Sequence, residues 1–269
     1  MGYQKLIKSG NTLEYFVYER TPAIIEQRGH VLRGMGRNRQ KPNDTQRLVR
    51  RQDNAYRAQV AFGRLCCSNF DGVEIPVYVT FTFRPTKEWE QPTIKQGYSL
   101  FHVFTVRLRQ RYNSHIRYVA VPEFGKRSTQ RLHFHALFWG LPLEEIEKER
   151  KTRDFRKVWK YGNVDVVITN NDVKVGYYLA KYLTKAYQDP RLFNSKSYVT
   201  SRNIRRSEIY TDFASLMLEY EFEPDIQLVR LTSYATKYLG LCDYKRYKLL
   251  EPLSQDLKNQ NIKGIIPST

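Results

Sequence analysis

Two apolar stretches, Ile116–Glu123 and Leu132–Trp139, constrain this chain more than any other part of it. Each has the length of a strand. The loop between them, Phe124–Arg131, carries Gly125, Ser128 and three basic residues, which suits a hairpin. Before them, Val77–Phe83 reads Val-Tyr-Val-Thr-Phe-Thr-Phe, a β-branched and aromatic strand ended by Pro85. Residues 93–112 place Phe101, Phe104 and Leu108 on one helical stripe. A charged helix at 143–159 and a strand at Val164–Ile168 follow. Asn170-Asn171-Asp172 then offers an N-cap for a helix to about Tyr187, which Pro190 stops. The order β-α-β-β-α-β-α predicts an α+β fold, with a mainly antiparallel central sheet flanked by helices.

The flanks are less regular. Residues 3–8 and 12–18 alternate around Ser9-Gly10-Asn11, a short hairpin. From Arg28 to Arg64 ten Lys or Arg stand against Asp44 and Asp53, with a helical pattern from about Asn43 to Leu65. Beyond residue 200 the pattern reads as mixed helix and loop. The expected division is a basic N-terminal extension at 1–70, a central domain at 71–205 and a C-terminal extension at 206–269. No period of a repeat protein is present.

Charge narrows the partner. The chain has 269 residues, with 45 Lys plus Arg against 27 Asp plus Glu, a net charge of +18. Its 14% aromatic content excludes a disordered polycation, so a folded protein with a polyanionic partner, most economically nucleic acid, is expected. No apolar run is long enough to span a membrane, and Met1–Lys5 lacks the start of a secretory signal. Three cysteines, two of them adjacent, make no disulfide framework, so a reducing cytoplasm is the expected compartment.

His133-Phe134-His135 lies inside the Leu132–Trp139 strand. Alternate strand residues share a face, so the two imidazoles project together, about 7 Å apart at the backbone. That suits two ligands of one metal; the plainer alternative is a pair of core histidines. If the hairpin loop centres on Ser128, Glu123 faces His133 and Val121 faces His135, all on one side of the sheet. Glu123 then offers a third ligand, unless it is an ordinary strand-end glutamate in water. Two nitrogens and one oxygen favour Mn²⁺, or Mg²⁺ where it is more abundant; zinc stays open.

Tyr178, Lys181, Tyr182 and Lys185 stand at i, i+3, i+4 and i+7, so one helix face presents two phenols and two ammoniums. A phenol of pKa about 10 is mostly neutral near pH 7, but neighbouring cations lower the cost of the phenolate, which can attack phosphorus. The alternative is a contact face where Tyr stacks on bases and Lys meets phosphates. Tyr177 lies off this face.

Phe81-Thr82-Phe83, then His133-Phe134-His135, then Tyr178-x-x-Lys181-Tyr182-x-x-Lys185 resemble the three ordered motifs of HUH endonucleases. More narrowly, the chain is similar to the two-tyrosine rolling-circle replication initiators (Rep) of small single-stranded DNA phages and related plasmids, over about residues 40–205. The resemblance implies an RRM-like sheet and a divalent metal, Mg²⁺ or Mn²⁺, on His133, His135 and a third polar ligand that Glu123 fits. It implies Tyr178 and Tyr182 as nucleophiles, with Lys181 and Lys185 orienting phosphate or assisting proton transfer. The implied activity is metal-dependent nicking and rejoining of single-stranded DNA at a replication origin through a 5′-phosphotyrosine, in a bacterial host's cytoplasm. No nucleotide cofactor and no membrane are expected. Because the chain lacks a Gly-x-x-x-x-Gly-Lys-Ser/Thr loop, host helicase and DNA polymerase are the expected partners. Arg47, Arg50, Arg51, Arg57, Arg84, Lys126, Arg127 and Arg131 are the expected DNA-backbone contacts. The rival reading is a non-catalytic single-stranded DNA- or RNA-binding protein with an RRM-like sheet.

Overall fold

The computed structural model describes residues 3–21, 44–70, 74–87, 90–112, 115–125, 130–152, 154–169, 174–193, 195–211 and 226–250, with backbone alone at 44–51, 152 and 174. Contacts group the chain into two compact units, residues 41–206 and residues 1–40 with 207–269. The division expected from sequence had its boundaries at 70 and 205.

The 41–206 unit contains α1 (Asp44–Cys67), β3 (Val77–Thr82), α2 (Ile94–Tyr112), β4 (Arg117–Phe124) and β5 (Leu132–Trp139). It continues through α3 (Leu143–Thr152), α4 (Phe155–Trp159), β6 (Val164–Ile168), α5 (Lys174–Gln188), a 3₁₀ turn (Pro190–Leu192) and β7 (Val199–Thr200). Its sheet has the order β6-β3-β5-β4-β7 with every pair antiparallel, so the His-x-His strand β5 is central. This is the α+β arrangement that the pattern predicts.

Strand alternation gives the sheet two different faces. One carries Phe81, Phe134 and Phe138, fully buried against Phe101 and Phe104 of α2. Trp159 closes the same cluster, its ring 4.8 Å from that of Phe81. Burying aromatic area of this kind is the main source of stability in such a layer. The opposite face carries the alternate residues, and α5 packs on it through β4 and β5. Leu179, Ala180, Leu183 and Ala186 form the buried stripe of α5. α1 lies against α5 where Gly176 permits close approach: a Cβ there would come within 2.8 Å of Cys66 Cβ.

The charged helix expected at 143–159 is two helices. The Asp154 amide bonds the Glu149 carbonyl and ends α3, and the chain restarts so that α4 buries Phe155, Val158 and Trp159. Glu149 ties α3 to α2 by accepting from Arg111 Nε at 2.8 Å and Tyr112 Oη at 2.6 Å.

The other unit is a sheet of order β8-β1-β2-β10-β9, from β1 (Tyr3–Ser9), β2 (Thr12–Tyr18), β8 (Glu208–Thr211), β9 (Ile226–Thr236) and β10 (Gly240–Leu249). The expected first hairpin is present, with Gly10 at φ +57° in its two-residue turn. The mixed helix and loop expected beyond residue 200 is corrected: β9 and β10 are long paired strands. Their sequences interleave Arg, Lys and Tyr with few buried side chains, so no apolar run announces them.

Candidate active site

The face beneath α5 gathers the polar residues. In the β4–β5 ladder Glu123 pairs with His133 and Val121 with His135, the register that the loop length predicts. β3 contributes Thr80, directly opposite His135, and Tyr78 two residues away on the same face. Glu123 and His135 are 9% and 7% exposed, and a buried carboxylate needs partners. It has two. His135 Nε2 lies 2.9 Å from Oε2, and Lys185 Nζ lies 2.6 Å from Oε1. Burial alone would raise the Glu123 pKa, but these two bonds outweigh it and hold the carboxyl below its usual range.

The Glu123 carboxylate can only accept, so His135 turns an Nε2–H toward it, while Nδ1 and the Tyr78 hydroxyl are hydrogen-bonded at 2.9 Å. Burial pushes the Tyr78 phenol up to about 12. Burial, and after it the neighbouring His135 imidazole, lowers the His133 pKa.

α5 brings the tyrosines to this cluster. Tyr182 stacks on the His135 ring, centroids 3.7 Å apart, and its hydroxyl is 2.8 Å from that of Tyr178. Lys185 Nζ stands 4.7 Å over the Tyr182 ring, and Lys181 Nζ 5.4 Å over that of Tyr178. Burial and the bond to Tyr178 lift the Tyr182 pKa well above that of a free phenol. Tyr178 is 46% exposed. The two phenols therefore differ: Tyr182 is locked on the imidazole, while Tyr178 faces outward beside it.

For a divalent ion the donor set fits in part. Two ligand atoms at neighbouring corners of an octahedron with bonds of about 2.1 Å lie roughly 3 Å apart. The 2.9 Å between His135 Nε2 and Glu123 Oε2 matches such an edge once Nε2 has given up its proton, with the ring's remaining N–H then on Nδ1 toward Tyr78. His133 shares their face, its ring 6.4 Å from that of His135. Among the described residues, however, no three His, Cys, Asp or Glu side chains are gathered as an ion-holding group.

The basic residues expected to meet DNA are placed unevenly. Arg57 is exposed on α1. Arg84 and Arg131 line a polar cavity of about 300 Å³ together with His133 and Asn163. Arg47, Arg50 and Arg51 belong to α1, but their side chains lie outside the described residues, as do Lys126 and Arg127 altogether. Sequence reasoning missed Tyr78. Its only signal was a phenol on the half-buried side of an alternating strand, and the β3–β5 register that aims it at His135 spans a helical crossover whose length fixes no pairing.

Residues 76–187 match the family of the replication-associated protein ORF2/G2P. The match supports a replication-initiator role with DNA as partner. It runs from just before β3 to within one residue of the end of α5, so the matched span encloses Tyr78, Glu123, both histidines, both tyrosines and both lysines. No curated protein and no solved structure matches the chain. Among the described residues no helix is long and apolar enough to cross a membrane.

Proposed function

We propose that this chain initiates rolling-circle replication as a two-tyrosine HUH-type endonuclease, nicking and rejoining single-stranded DNA at an origin. The observation that carries the reading is the placement of two phenol oxygens 2.8 Å apart, beside a Lys185–Glu123–His135 chain of hydrogen bonds. Ring packing would be served equally by phenylalanine, whereas phosphoryl transfer requires a nucleophile next to cations.

Tyr178 is the first nucleophile in this reading because its ring is open to an incoming strand. Its Oη bonds to phosphorus, the bond from phosphorus to the 3′-oxygen breaks, and the phenolic proton ends on that departing oxygen. The products are a 5′-phosphotyrosine and a free 3′-hydroxyl, which a host polymerase extends behind a host helicase. Phosphodiester energy is kept in the link, so rejoining needs no nucleotide cofactor. Tyr182, one helical turn on, performs the second transfer after a round of copying. Lys181 and Lys185 hold phosphate oxygens, and Arg84 and Arg131 beside His133 meet a neighbouring phosphate. Held by His133, His135 and Glu123, Mg²⁺ or Mn²⁺ would supply Lewis-acid polarisation of the scissile phosphate.

The test is a denaturing gel of the full chain mixed with Mn²⁺ and a labelled single-stranded library. A covalent protein–DNA band is expected from wild type, and none from the Tyr178→Phe, Tyr182→Phe double variant, which keeps both rings. A wild type that binds the library yet forms no band with Mg²⁺ or Mn²⁺ favours the non-catalytic binding reading. A band that survives in the double variant moves the nucleophile elsewhere.

A further inference from the structure

Beside Tyr178 a groove of about 760 Å³ opens between β6 and α5. Tyr78, Val167, Ile168, Tyr177 and Tyr178 line it, with Lys181 as its cation. No carboxylate stands among the described lining residues. Its walls are unusual for a surface on a chain of charge +18. Val167 is 45% exposed on the edge strand, whereas Val166 beside it is buried in the sheet. Tyr177 is 48% exposed, its hydroxyl accepting from the Cys67 thiol at 3.8 Å, so the ring is tethered at its tip.

We propose that this groove receives a nucleobase of single-stranded DNA adjoining the phosphate that Tyr178 meets, stacked on the Tyr177 ring. The inference rests on the reading of Tyr178 as the group that meets DNA, and names how that DNA is gripped. Three observations select this occupant. The groove shares Tyr178 with the candidate active site, so a strand whose phosphate reaches the Tyr178 hydroxyl places its next base here. The walls offer aromatic and aliphatic surface, which stacks on any base regardless of sequence. The cation lining the groove is Lys181, over the Tyr178 ring, which suits a ligand that is apolar in its base and anionic in its backbone. A volume of this size lies within the roughly 300–1,000 Å³ typical of small-ligand sites. Tyr177 thereby gains a role in affinity, although it faces about 100° away from Tyr178 around the helix.

The experiment compares two strands of equal length and phosphate count, dodecathymidylate and its abasic tetrahydrofuran analogue. Anisotropy titrations with the full chain are run at one fixed salt concentration in EDTA, where binding is read without cleavage. Wild type is expected to prefer the thymidylate strand. Tyr177→Ala should reduce that preference by about tenfold while leaving the abasic affinity unchanged, because only base stacking is lost. Tyr177→Phe, which keeps the ring, should retain the preference. If Tyr177→Ala melts below the assay temperature, Tyr177→Leu serves as the second variant and should lose the preference similarly. An unchanged preference in the Ala or Leu variant, or no preference in wild type, overturns the inference. The covalent band is read separately: its absence would overturn the nuclease reading while a Tyr177-dependent preference stood, and the reverse result would overturn only the groove.

Discussion

Both units of this chain are built on five-stranded antiparallel sheets, yet they use their side chains in opposite ways. In the 41–206 sheet, every residue of β4 is buried, and helices supply the cover. In the other sheet, β9 is exposed along most of its length, with Leu228, Val229, Leu231 and Tyr234 at 43–62% exposure. The small apolar clusters there gather mainly on β1, β2 and β10, such as Leu6, Leu13, Tyr15, Tyr247 and Leu249. The contrast teaches where a polar site can be built. A carboxylate, an imidazole and a phenol hold fixed geometry on the first sheet because burial forces each to find a partner. Polar side chains of β9 have water as an alternative and acquire no such constraint, whereas the buried Glu14 of β2 is held by the Tyr244 hydroxyl at 2.9 Å.

The largest expected effect separates the two sheets by stability. Phe81→Ala removes a ring packed against Phe101, Phe104 and Trp159 and should cost about 3–5 kcal/mol in urea unfolding. A loss near zero would mean that the aromatic layer is not what holds the 41–206 unit together.

Next comes the hydrogen bond between the Tyr78 hydroxyl and His135. Tyr78→Phe keeps the ring but frees Nδ1, so the imidazole loses its orientation. The Mn²⁺ concentration needed for half-maximal adduct formation should rise by roughly 10–100-fold. An unchanged Mn²⁺ requirement would reduce Tyr78 to a packing residue.

Glu123→Gln should destabilise the metal-free protein by about 1–2 kcal/mol at pH 7 by breaking a charge-assisted pair. The sign with pH follows from the lowered Glu123 pKa. Stability from this carboxylate is fully present above its unfolded pKa and is lost as pH falls through the lower folded value. The gap between wild type and variant should therefore close below the ordinary carboxylate range, in EDTA-containing melts. A gap that persists there would assign the loss to packing rather than charge.

The smallest effect sharpens the comparison from the other side. Leu231→Ala on β9 should change stability by no more than about 0.5 kcal/mol, since that side chain is 62% exposed. A cost comparable with that of Phe81→Ala would show β9 to be covered in solution.

Legibility in the sequence follows the same contrast. The strands and helices of the 41–206 unit could be read because burial on one or both faces imposes a period, as in Val77–Thr82 or the stripe of α5. The Glu123–His133 register was readable because a hairpin loop fixes its own pairing. Tyr78 was not, since a crossover through α2 leaves the β3–β5 register to tertiary packing. Strand β9 was missed because an exposed strand needs no apolar alternation, and β10 because Lys245, Arg246 and Lys248 interrupt its few buried side chains, so the region read as mixed helix and loop. The break inside 143–159 escaped for another reason: the charged pattern continues across it, and only the core's demand for Phe155 and Trp159 reveals it.

The central claim is that a tyrosine of α5 forms the bond to DNA, and trypsin is well suited to test it. Cleavage after Lys174, Lys181 and Lys185 places Tyr178 in the peptide 175–181 and Tyr182 in the peptide 182–185. Tandem mass spectrometry of nuclease-trimmed adduct from wild type should find the nucleotide mass on Tyr178 in the first peptide, and on Tyr182 once Tyr178 is Phe. A nucleotide mass on neither peptide, with the adduct present on the gel, would contradict the account.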